Sequence, residues 1–155
     1  MVFDEFDSML DFSEYSSSFN DLSTEKLNIE VFNVNSTVVI VYSDISEIDS
    51  IAQFMASAHK LYLQEVEMNG ALRNDICLTF EGDVLESSAI LRPMEIEEVN
   101  SWLLDRIGKK NLSEFSKNSG KSESVDCAVF YGYCDSMFLF YSNKKMFFVD
   151  SYPNG

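Results

Sequence analysis

Hydrophobic positions along this chain fall into blocks of two different periods. Leu27, Ile29 and Val31 alternate with Asn28 and Glu30, the period of a half-buried strand. Turn-forming residues follow from Asn33 to Ser36. The run TVVIVY from Thr37 to Tyr42 is then continuously apolar and rich in β-branched residues, as suits a strand buried on both faces. Together these segments predict a hairpin over 26–43.

From Asp44 the period lengthens. Ile48, Ile51, Ala52, Met55, His59, Tyr62 and Val66 form an apolar stripe that predicts a helix over 44–68. Asp44 with Glu47 three residues on resembles a capping box, and Asn69-Gly70 offers a stop. An alternating reading of Leu61, Leu63 and Glu65 would end this helix near Ala58. Ile76, Leu78 and Phe80 alternate again, and Gly82-Asp83 predicts a turn into a second strand reaching Leu91. Pro93 then suits the first position of a second helix, 93–108, whose stripe is Ile96, Val99, Leu103 and Ile107, widened by Trp102. Glu95, Glu97 and Glu98 precede it and Arg106, Lys109 and Lys110 follow, as the helix dipole favours; Gly108 closes it. Residues 109–124 read as a polar surface loop, with one helical turn at most around Leu112 and Phe115.

The last block, 125–152, holds nine of the chain's 20 Phe and Tyr residues. Asn143-Lys144 makes a two-residue turn that pairs Phe140 with Phe147 and Leu139 with Phe148. A turn at Cys134-Asp135 would pair Tyr131 with Phe138 and Val129 with Phe140. The result is a three-stranded antiparallel meander that is apolar on both faces, so both need cover. The two helices are assigned to one face. The other is left to the N-terminal segment, a second sheet or a partner chain. The expected fold class is α+β: an antiparallel sheet with this C-terminal meander, packed against two main helices, 44–68 and 93–108.

Residues 1–24 stand apart. Six acids alternate there with aromatic and aliphatic residues, and no basic residue occurs. Phe3, Phe6 and Leu10 would share one face of a short helix, although the composition also suits a disordered recognition arm. This leaves 25–155 as a single α+β domain, a size that supports a real core.

Charge changes the picture more than composition does. The formal net charge is −15, from 26 acids against 11 Lys and Arg. Residues 1–105 carry 21 of the acids and only Lys26, Lys60, Arg73 and Arg92; residues 106–155 carry five acids and seven basic residues. Such a chain repels phosphates, which argues against direct nucleic-acid binding and against anionic membranes, and it steers toward a basic protein. Three Cys without paired spacing suit reduced thiols in the cytoplasm. No stretch is long and apolar enough for a membrane span, and the acidic N-terminus lacks the basic region of a secretory signal.

Candidate chemistry is sparse. His59 is the only histidine and lies on a helical apolar stripe, where a core histidine is commoner than a general base. Glu95, Glu97 and Glu98 are better explained by a helix N-terminus than by acid–base work. No glycine-rich phosphate loop or zinc cluster is present, so no catalytic residue, metal site or cofactor is expected. The expectation is a non-catalytic binding protein that neutralises a basic partner, in the manner of a bacterial immunity protein against a nuclease toxin. The expected contacts are Asp4, Glu5, Asp7, Asp11, Glu47 and Asp49, with Phe3 and Phe6 as anchors. A dimeric acidic secretion-type chaperone and a nucleic-acid mimic are the alternatives.

Overall fold

The computed structural model describes residues 21–34, 36–49, 51–68, 91–120, 127–130 and 137–152. Their order is β1 (Asn28–Asn33), β2 (Thr37–Asp44), a 3-10 turn (Ile45–Glu47), α1 (Ile51–Met68), β3 (Leu91–Met94), α2 (Ile96–Ser119), β4 (Cys127–Phe130), β5 (Met137–Ser142) and β6 (Lys145–Tyr152). The six strands make one sheet in the order β1-β2-β6-β5-β4-β3, with every neighbouring pair antiparallel. The α+β class and the two helices are as the sequence predicts. The last three strands are consecutive antiparallel neighbours, the expected meander, and β6 also pairs with β2, so that it lies inside the sheet.

The hairpins follow from local chemistry. Asn33 and Thr37 close the β1–β2 pair, and their side chains hydrogen-bond to each other. Asn143 and Lys144 both adopt positive φ, 51° and 62°, the pattern of a type I′ turn that matches strand twist. That turn sets the expected register, Phe140 opposite Phe147 and Leu139 opposite Phe148. The β4–β5 register differs from expectation. Cys127, not Val129, lies opposite Phe140, a slip of two residues that keeps each β4 position on its expected face. The residues expected to turn there, Cys134-Asp135, lie outside the described residues, as does the hairpin expected at Gly82-Asp83.

The main correction concerns cover. Alternate residues of β2 and β6 point to opposite faces. Val38, Ile40, Tyr42, Phe147 and Val149 share one cluster with Phe140 and with Val99, Leu103, Ile107 and Phe115 of α2. Phe148, of the opposite parity, meets His59 and Tyr62 of α1, at ring separations of 5.8 and 6.2 Å. Each helix therefore takes its own face, and the molecule is layered helix, sheet, helix. Residues Val38–Val41 and Met146–Val149 are fully buried, as expected of strands covered on both sides.

Helix boundaries also shift. The first helix begins at Ile51 rather than Asp44, and no capping box forms, because both of its carboxylates are engaged elsewhere. Asp44 ends β2 and binds Lys145 at 2.6 Å; Glu47 binds Lys26 at 2.7 Å. The helix runs on past Ala58 to Met68. Pro93 lies in β3, the last strand of the sheet among the described residues, and the second helix starts at Ile96 with Glu95 as its N-cap. Gly108 breaks that helix as expected, with φ 85° and ψ 162°, but the chain resumes helix as far as Ser119. The predicted loop over 109–124 is thus helical for most of its length. The reason is Phe115, which is fully buried and meets Phe32, Tyr42 and Phe147 edge-on at 6.3, 6.1 and 5.8 Å. Asn111 donates from its side-chain amide to the Ile107 carbonyl at 2.8 Å across the break. Gly120, at φ 72°, caps the helix, and its carbonyl accepts from Asn143 Nδ2 at 2.7 Å.

Two measurements check this account. Phe115→Ala should cost about 3–5 kcal/mol in urea unfolding, a core-sized loss from a segment that reads as loop. Gly108→Ala should cost about 1–3 kcal/mol: a Cβ there has space, but the backbone angles are open almost only to glycine.

Candidate functional site

A concavity among the described residues lies where the approach to β1, the end of β2 and the first turns of α1 converge. It is a cleft of about 210 Å³ lined by Ser23, Glu25, Lys26, Leu27, Ser43, Glu47, Ile48, Gln53, Phe54 and Ser57. Its walls are tied together by side chains reaching main chain. Lys60 Nζ of α1 donates to the Leu22 carbonyl at 2.7 Å, which pins the incoming segment against the helix. Ser43 Oγ donates to the Lys26 carbonyl at 3.3 Å. The Asp49 amide donates to Gln53 Oε1 at 3.2 Å, closing the turn into α1. The floor is apolar where Phe54 is buried, and polar where Ser43 and Ser57 lie among core residues.

The rim is charged. Lys26 and Glu47 form an exposed ion pair, and the carboxylate, by hydrogen bond and by charge, raises the Lys26 pKa above its ordinary value. Glu25 and Asp49 are exposed beside it. Along 21–60 the chain carries six acids against two lysines. The cleft thus offers hydroxyl and carboxylate acceptors around an apolar floor in a negative field, an arrangement suited to holding a cationic group.

Of the residues expected to bind a partner, Glu47 lines this cleft and Asp49 lies two residues on; both are exposed. Asp4, Glu5, Asp7, Asp11, Phe3 and Phe6 lie outside the described residues. On the second helix Glu97, Glu98 and Asp105 are also exposed, but α2 covers the opposite face of the sheet from α1. The cleft's serines, Gln53 and Lys26 were not legible as site residues, because only the fold brings segments 23–27, 43–48 and 53–57 together.

His59 is placed away from this chemistry. It is fully buried in α1 against Tyr62 and Phe148, and burial pushes its pKa down to about 3. The imidazole is neutral in the folded protein at ordinary pH. Across the sheet, Tyr42 Oη donates to Glu30 at 3.2 Å. Desolvation raises both groups; with the neighbouring Glu30 carboxylate adding to it, Tyr42 is pushed up to about 12. No three His, Cys, Asp or Glu side chains converge on a metal position among the described residues, and none of the described helices is long and apolar enough to cross a membrane.

With this geometry in hand, comparison with models of protein families, with characterised proteins and with solved structures finds no match to the chain.

His59 generates a pH prediction. Its folded pKa lies below the unfolded value of 6.5, so the unfolded chain binds the extra proton. The stability it confers is complete above pH 6.5 and is lost as pH falls toward 3. At pH 5 the loss from this residue should be about 2 kcal/mol. Comparing urea midpoints of the native chain and His59→Leu at pH 7.5 and pH 5 isolates it: the gap between the two proteins should shift by that amount in favour of the variant. A gap independent of pH would mean that His59 is protonated equally in both states.

Proposed function

We propose that this chain is a non-catalytic acidic binding protein that neutralises a basic protein partner. In its most specific form it is an immunity protein or inhibitor of a bacterial toxin, such as a cationic nuclease, acting in the cytoplasm. The observation that carries this reading is the exposed acidic rim of the cleft: Glu25 and Glu47 line it and face solvent beside an apolar floor, and the exposed Asp49 adds its charge nearby, at Lys26. A cationic protein approaching it is accelerated by the field of the whole chain and meets a shaped surface at the end of its path.

The secretion-type chaperone drew its support from an apolar sheet face left over for a client. Among the described residues α1 and α2 cover opposite faces of the central strands, which does not favour that reading. The nucleic-acid mimic has no specific observation in its favour among the described residues.

The test is a complex with the product of a toxin gene adjacent to this one, followed by association kinetics at low and high salt. Association should slow at least tenfold or so between about 0.05 and 0.5 M salt. The double substitution Glu47→Lys, Asp49→Lys should slow it by roughly tenfold at low salt while leaving the unfolding midpoint nearly unchanged. Rates indifferent to both salt and charge reversal would remove the electrostatic basis of the reading.

A further inference from the structure

We draw no further inference here: the strongest candidate, the break in α2 at Gly108 where the helix restarts with Lys109 and Lys110 exposed in its first turn, is a helix N-terminus bearing surface lysines, and no second feature among the described residues points to an anion there.

Discussion

The structure depends on the pairing of β2 with β6. These strands are apolar on both faces, and an antiparallel pair of that kind is stable only with cover on both. Val38 to Val41 and Met146 to Val149 lose all contact with water. Two amphipathic helices meet this demand by dividing the faces between them. The aromatic residues then sort by parity. Phe147 stacks between Tyr42 and Phe140, at 5.3 and 4.6 Å, under Phe115 of α2. Phe148 lies under His59 and Tyr62 of α1. A shift of one residue in the β2–β6 register would exchange these two sets and bring each helix against side chains shaped for the other.

Ion pairs at the edges of this core act through geometry more than through energy. Lys145 reaches Asp44 from the facing strand, and Lys26 reaches Glu47 from the segment before β1. Exposed pairs contribute little stability. They do occupy the two acids that would otherwise begin a helix at Asp44, and the chain instead makes a 3-10 turn before α1. That delay, together with the Lys60 bond to the Leu22 carbonyl, leaves the concavity at the head of the helix. The candidate site is thus a by-product of how two strands and a helix are joined, and the chain's excess of acids gives it its sign.

Legibility differed by the range of the forces involved. Where local chemistry decides, the reading from sequence was close: Asn143-Lys144 as a turn, TVVIVY as a doubly covered strand, Gly108 as a break and His59 as a core residue. Where a distant partner decides, it was not. Phe115 sits among lysines and serines, and nothing nearby in the chain shows that three aromatic rings await it. Glu47 and Asp49 were legible as candidate contacts because exposed acids near a helix start are recognisable in a sequence. Ser57 was not, since a serine on a helix carries no mark of the cleft it will line.

The sequence by itself determined the class of the fold, the turn that registers β5 with β6 and the acidic balance of the surface. Each follows from backbone preference, side-chain period or charge count, which act within a few residues or do not depend on position. Only the tertiary structure decided that the helices lie on opposite faces, that β6 is central, and that three separate segments enclose a cleft. Those outcomes turn on which apolar surfaces find each other across the chain, and burial has no direction along a sequence.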